Sequence, residues 1–223
     1  FDLDDTLWAF SLNARDTYEE MYWKYEYNRF FDSFEHYYSL YHHRNLELWA
    51  EYADGKVTKE ELNRQRYLYP LKAVGICDSA LAKAYEKDAL AVIPTKSKLM
   101  PHAREVLEYL SSKYNLYILS NGFKELQSHK MHSSGIDKYF KKIVLSDDIG
   151  VLKPWPEIFY FALSATQSEL KDSLMIGDSW ENDIAGAAGV GMHQVFYNLS
   201  GRMDLPFMPT YQISDLKELL DLL

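Results

Sequence analysis

The 223 residues include 33 acidic and 24 basic side chains, a formal net charge of −9, with 47% hydrophobic and 26% charged residues. These are globular proportions, sufficient for a proper core, at a length that fits one large domain or a core with a smaller insertion. The acidic balance argues against a nucleic-acid polymer or an anionic membrane as partner, since clustered Lys and Arg hold both, and no apolar run approaches the length of a membrane span.

Cys77 is the only cysteine, so no intrachain disulfide can form. A reducing, cytoplasmic setting is the expectation, with Cys77 a small buried hydrophobe rather than a reactive thiol. Nothing in the composition indicates a protein partner.

Phe1 to Asp4 reads as the final part of a strand, with an apolar stretch expected immediately upstream. Residues 14–92 then carry helical patterns and no strand, predicting an all-helical insert. Arg15 to Phe31 and Phe34 to Tyr52 space aromatic and aliphatic residues three and four apart, as a buried helix face requires. Asp54-Gly55-Lys56 ends the second helix. Thr58 and Glu61 form a capping box for a third, which Pro70 is expected to bend or stop, and Asp78 caps a fourth that runs to about Ala91. Four helices on short turns predict a four-helix-bundle cap.

From residue 93 the pattern alternates helices with short apolar strands, the signature of a parallel sheet with crossover helices. Helix Ala103 to Lys113 precedes strand Leu116 to Leu119, and helix Phe123 to Ser134 stops at Gly135. Strand Lys142 to Leu145, helix Pro156 to Thr166, strand Ser173 to Ile176, helix Glu181 to Ala188 and strand Gln194 to Phe196 follow, with a last helix from Asp215 to Leu222. The predicted fold is α/β: a Rossmann-like parallel-sheet core of residues 1–13 and 93–223, interrupted by the helical cap of residues 14–92.

In open parallel sheets the ligand cleft lies beyond the carboxyl ends of the strands. Polar clusters fall there: Asp2-Leu3-Asp4-Asp5-Thr6, Ser120-Asn121-Gly122, Lys153-Pro154 and Gly177-Asp178-Ser179. Asp2 and Asp4, two apart on an extended segment, would share a face were the strand regular, and such a pair is costly unless a cation or a shared proton relieves it. Asp178 adds a third carboxylate, and three acidic groups at one sheet edge imply a hard cation with oxygen ligands, most simply magnesium. Lys153, Ser120 and the Asn121 and Gly122 amides suit an anionic phosphate. Asp5 alone reads as a turn residue.

DLDDT, SNGF, LKPWPEIF and GDSWENDI resemble, in order and position, the four motifs of the haloacid dehalogenase superfamily, whose phosphatases carry D-x-D-x-T as the first. The resemblance implies a magnesium-dependent phosphomonoester hydrolase in which Asp2 attacks phosphorus, giving an aspartyl-phosphate that water hydrolyses. Asp4 would protonate the leaving group and then activate the water. Thr6 and Ser120 would hold phosphate oxygens, and Lys153, fixed by Asp183, would steady the charge on Asp2. Magnesium would take carboxylate oxygens of Asp2 and Asp178 and the backbone carbonyl of Asp4, with Asp183 acting one shell further out. The superfamily's haloalkanoic acid dehalogenases lack an Asp at the position of Asp4, so Asp4 favours ester hydrolysis. Thr6, where hexose-phosphate mutases tend to carry valine, favours a hydrolase over a mutase.

LWAEYADGKVTKEELNRQR, NGFKELQ and GIDKYFKKIVLSDDIGVLKPWPEIF are similar to the nucleoside monophosphate phosphatases of this superfamily, the 5'-nucleotidases of pyrimidine and non-standard nucleotides. A small phosphorylated metabolite, first of all a nucleoside 5'-monophosphate, is the implied substrate. The alternatives are a sugar-phosphate or other small-metabolite phosphatase, a phosphonatase using a cap lysine such as Lys24, and a non-catalytic binding module, which would be expected to lack a motif carboxylate.

His36, His42, His43, His129 and His132 form no ligand set by spacing and read as helix-surface or half-buried residues. The insert's aromatics, among them Tyr18, Tyr22, Trp23, Tyr25, Tyr37, Tyr38 and Trp49, read as bundle core rather than a base-stacking platform. Trp8 and Phe10 fall where the family has a mobile flap. Trp155 is expected to pack beside Lys153.

Overall fold

Helical spacing of aromatics gives way after Ile93 to short apolar runs, and the computed structural model, which describes all 223 residues, follows that change. The chain divides into two units, Phe1–Phe10 with Lys96–Leu223, and Ser11–Thr95.

The helical unit holds α1 (Phe10–Lys24, entering from the other unit), α2 (Phe34–Ala53), α3 (Lys59–Ala73) and α4 (Ser79–Val92). Side-chain caps fix its starts: Ser33 accepts from the His36 amide at 3.1 Å, Thr58 and Glu61 make the reciprocal capping box, and Asp78 accepts from the Leu81 amide at 2.8 Å. α1 ends seven residues before Phe31, because Glu26 takes a left-handed φ of 53° that no helix can continue; a single 3-10 turn, Tyr27–Arg29, follows. Pro70 neither stops α3 nor ends it early. It sits buried in the last turn of the helix.

The bundle interior is built largely from tyrosines: Tyr18, Tyr22, Tyr27, Tyr37, Tyr41, Tyr67 and Tyr85 are all buried. Their rings supply apolar area, and some hydroxyls pair internally, Tyr18 with Tyr41 at 2.6 Å and Tyr85 with the Tyr18 carbonyl at 3.0 Å, whereas those of Tyr27 and Tyr37 are buried without a partner. Trp23 is the exception, lying exposed on the surface of α1. The five histidines of α2 and the later SHKMH segment are exposed, as expected. Cys77 is also exposed, against expectation. It lies in the turn just before the cap Asp78, where no buried helix face is available.

The other unit contains α5 (Ala103–Ser111), β1 (Leu116–Ser120), α6 (Lys124–Ser134), β2 (Phe140–Leu145), α7 (Pro156–Thr166), β3 (Leu174–Gly177), α8 (Gly186–Gly189), β4 (His193–Tyr197), β5 (Tyr211–Ile213) and α9 (Leu219–Leu222). All pairings are parallel: β1 with β2, β3 with β4, and β4 with β5. Residues 1–3 join the two groups of strands. The Phe1 amine donates to the Tyr117 carbonyl and the Leu119 amide to the Phe1 carbonyl, while the Asp2 amide donates to Ile176 at 2.9 Å. This seats Asp2 between β1 and β3, at the middle of the sheet. One core cluster packs Leu119, Val144 and Met175 from the strands against Ile158 and Phe159 of α7. No helix is long and apolar enough to cross a membrane.

The helix expected from Glu181 begins instead as a π-helical turn, Trp180–Ala185, capped by Ser179, and becomes α8. β5 has no counterpart in the sequence reading.

Candidate active site

Asp2 leaves the sheet beside two strand ends, and the chain turns sharply behind it. The Leu7 and Trp8 amides both donate to the Leu3 carbonyl, and Asp5 adopts a left-handed φ of 60°, a conformation Asp tolerates better than most residues. The turn brings Thr6 to the end of β3. Its hydroxyl donates to Asp178 Oδ1 at 2.7 Å and accepts from the Asp178 amide at 3.1 Å. Thr6, expected on a phosphate oxygen, is fully buried and is placed on Asp178 instead.

The centre of the site is an ion triad. Lys153, 2% exposed, donates through Nζ to Asp2 Oδ1 and Asp183 Oδ1, both at 2.6 Å, and to the Leu119 carbonyl at 2.8 Å. Asp183, 1% exposed, accepts from the Ser179 amide with its other oxygen at 3.1 Å, so the π-helical turn and Lys153 both fix it. Gly177 is required for this approach: a Cβ there would lie 2.2 Å from Asp183 Oδ2. Asn121 holds the Lys153 backbone, donating from Nδ2 to its carbonyl at 2.9 Å and accepting its amide at 2.8 Å. Trp155 does not pack there; it begins α7 with 56% of its surface exposed.

Asp4 faces a different set of partners. Lys130 of α6 donates to its Oδ1 at 2.8 Å and Oδ2 at 3.0 Å, and Gln127 Nε2 donates to Oδ2 at 2.9 Å. Gln127 also reaches Ser120 Oγ at 2.7 Å, which accepts the Gly122 amide at 3.1 Å as well. With two bonds accepted, the Ser120 hydroxyl retains its own proton for donation. A Cβ at Gly122 would meet Gln127 Nε2 at 2.0 Å, so glycine keeps this corner open. Lys130 did not stand out in the sequence, and Gln127 appeared there only as the last residue of NGFKELQ, with no role of its own.

Burial first, and then the Asp183 and Asp178 carboxylates, push Asp2 up to about 8 against the lowering pull of Lys153. Asp178 is raised to about 6, again chiefly by burial, with Asp183 adding to it and the Thr6 hydrogen bond opposing. Burial disfavours the Lys153 ammonium, yet Asp183 and Asp2 hold its pKa above the ordinary lysine value. Three carboxylates thus face one ammonium. Oxygens of Asp2, Asp178 and Asp183 all lie within 4.8 Å of one another, a set that could hold a metal ion, and the surplus negative charge with all-oxygen donors fits a hard divalent cation.

A model of haloacid dehalogenase-like hydrolases matches residues 1–191. The chain belongs to this hydrolase family. Pyrimidine 5'-nucleotidase YjjG of Escherichia coli (strain K12) is 29% identical over 100% of this chain and 96% of its own. Pyrimidine 5'-nucleotidase PynA of Streptococcus pneumoniae (strain ATCC BAA-255 / R6) is 28% identical over 100% and 93%. Among solved structures, the HAD-hydrolase YfnB of Bacillus subtilis, determined bound to magnesium, aligns with a TM-score of 0.88 at 26% identity, covering 100% of this chain and 96% of that one. The L-2-haloacid dehalogenase of Xanthobacter autotrophicus shares the fold at a TM-score of 0.74 and 16% identity, covering 100% and 96%.

Set in this hydrolase family, Asp2, Lys153, Asp178 and Asp183 form one cluster, and Asp4 and Ser120 a second joined through Gln127. Asn121 and Thr6 belong to the supports: both use their side chains on neighbouring site residues. Trp8, expected in a flap, is fully buried, with its indole donating to the Lys96 carbonyl at 3.1 Å.

Proposed function

We propose that this hydrolase is a magnesium-dependent phosphatase that cleaves nucleoside 5'-monophosphates through an aspartyl-phosphate on Asp2. The observation that carries the reading is the pairing of two carboxylates with two different environments. Asp2 is buried against Lys153, while Asp4, two residues on, is 26% exposed on its own set of donors. Ester hydrolysis needs a nucleophile and a separate group that protonates the departing alkoxide, whereas a departing halide needs no proton. Similarity over the whole chain to two pyrimidine 5'-nucleotidases supports the substrate class.

The carboxylates of Asp2 and Asp178, with the Asp4 backbone carbonyl, would hold magnesium, and Asp183 would support that group through Lys153 and Ser179. When bound, the ion supplies charge neutralisation for the phosphoryl oxygens. Lys153 steadies the charge on Asp2, and Ser120 with the Asn121 and Gly122 amides donates to phosphate oxygens. Thr6 serves the phosphate site by bracketing Asp178.

In the first step an Asp2 oxygen bonds to phosphorus as the ester P–O bond breaks. The departing alkoxide takes a proton from Asp4. In the second, Asp4 takes a proton from water as the water oxygen bonds to phosphorus, the Asp2–phosphorus linkage breaks, and phosphate leaves. Both carboxyl groups then stand as they began. We read the helical unit as the family's cap.

Phosphate release from nucleoside monophosphates, sugar phosphates and an aryl phosphate, with magnesium and with chelator, tests this. Nucleotide preference abolished by chelator is the expected result. Metal-dependent activity confined to sugar phosphates would overturn the substrate class, and no release from any ester would overturn the reaction.

A further inference from the structure

Lys130 stands out as a lysine with a cation buried where solvation is lost. Only 3% of its side chain is exposed, although its neighbours Ser128 and His129 on α6 face solvent. A buried ammonium is costly unless paired. Here Nζ meets both oxygens of Asp4 at 2.8 and 3.0 Å, with the rings of Trp8 and Phe10 enclosing it at 4.8 and 5.2 Å to their centroids. Each member of the Asp2/Asp4 pair thus has its own buried lysine, Lys153 for the first and Lys130 for the second.

Gln127, three residues before Lys130 on the same helix face, adds a donor to Asp4 Oδ2. Its amide orientation has a cost. With Nε2 bridging Asp4 and Ser120, Gln127 Oε1 is left buried without a partner. Turning the amide over would bring that oxygen against the Asp4 carboxylate. An orphaned buried acceptor at this spot indicates that the fold gives up a hydrogen bond to keep donors on Asp4.

We infer that Lys130, assisted by Gln127 and seated by Trp8 and Phe10, is a positioning residue that fixes the Asp4 carboxyl where it serves the leaving oxygen. The inference rests on the phosphatase reading and adds to it a residue outside the four sequence motifs. Two contacts from one ammonium and one from an amide set both the distance and the plane of the carboxyl group. Losing the ammonium frees Asp4 to rotate, and a displacement on the order of 1 Å costs a positioned group about 10²-fold in rate.

The test uses Lys130→Met, which keeps the stem and removes the charge, and Lys130→Arg, which keeps donors. Values of kcat/KM are compared for a nucleoside monophosphate and for nitrophenyl phosphate, whose phenolate departs without needing a proton. Because kcat/KM reports only through loss of the leaving group, it isolates the step in which Asp4 donates. Lys130→Met is expected to lose about 10²-fold on the nucleotide and much less on the nitrophenyl ester, with Lys130→Arg recovering most of the loss. Equal losses on both esters, or none on the nucleotide, would overturn the inference. A crystal structure of Lys130→Met should show Asp4 displaced, and an unmoved Asp4 would equally overturn it. If Lys130→Met does not fold, Gln127→Met carries the same comparison. Failure of the phosphatase reading would show separately, as absence of turnover by the unsubstituted protein, and the position of Asp4 in the variant's structure would still decide the role of Lys130.

Discussion

Replacing Lys153 with methionine removes the one ammonium shared by Asp2 and Asp183 while roughly keeping the volume of its stem. Its partners stand at 2.6, 2.6 and 2.8 Å, and both carboxylates are buried, so no solvent replaces what is lost. Removing one partner of a buried pair costs about 3–5 kcal/mol. That is a large part of the roughly 5–15 kcal/mol that holds a domain together. At about 2–4 °C per kcal/mol for a chain of this size, melting should fall by roughly 6–20 °C. The deficit should shrink toward acidic pH, where protonation removes the uncompensated charge, and added magnesium should recover part of it. Turnover should drop about 10²–10³-fold, as for loss of a fixed electrostatic donor. Calorimetry or a dye-based melt across a pH series reads the first effect, and steady-state kinetics the second. A variant that melts with the parent at neutral pH would refute the reasoning, because it would mean that Lys153 does not compensate these carboxylates.

Three further outcomes follow from other parts of the molecule. Folding raises Asp2 to about 8 and Asp178 to about 6, chiefly through burial. An acid raised in this way favours the folded state while protonated, so the metal-free protein should lose stability as pH rises from about 4 through about 8, and the gain in melting temperature on adding magnesium should grow over the same window; a gain that shrinks with pH would contradict this. Gly177→Ala places a methyl 2.2 Å from Asp183 Oδ2, which should cost about 1–3 kcal/mol and lower kcat by pushing Asp183 off Lys153, whereas normal kinetics would show that Asp183 has slack. Thr58→Ala removes the capping box of α3 and should cost about 1 kcal/mol in urea denaturation, and an unchanged midpoint would deny the cap its role.

The strand ends were legible because each carries its chemistry in a short contiguous string after an apolar run. Asp2, Ser120 and Asp178 arrive at the site by the strand-and-crossover rule, whereas Lys153 lies in the loop between β2 and α7, where Asn121 holds its backbone. Gln127 and Lys130 escaped because their role depends on burial. With Met131 and Ser134 they form the inward face of α6, yet polar residues at those positions read in sequence as a solvated face. A polar pair three apart beside a buried aromatic and methionine was the signal available. Thr6 and Asn121 were placed at the site by motif, but only their hydrogen bonds reveal that they hold Asp178 and Lys153. Local geometry hid the rest. The left-handed Glu26 shortens α1, the π-helical turn at Trp180 displaces the start of its helix, and β5 is three residues long with one buried side chain, too brief for a period to register.

The central claim is that the phosphoryl group passes through Asp2. Quenching the protein during turnover of a nucleoside monophosphate and treating it with borohydride would reduce an aspartyl-phosphate to homoserine, which peptide mass spectrometry locates. Conversion at residue 2, dependent on substrate and absent from Asp2→Asn, is the predicted result. Trapping at another carboxylate under active turnover would contradict the assignment of the nucleophile.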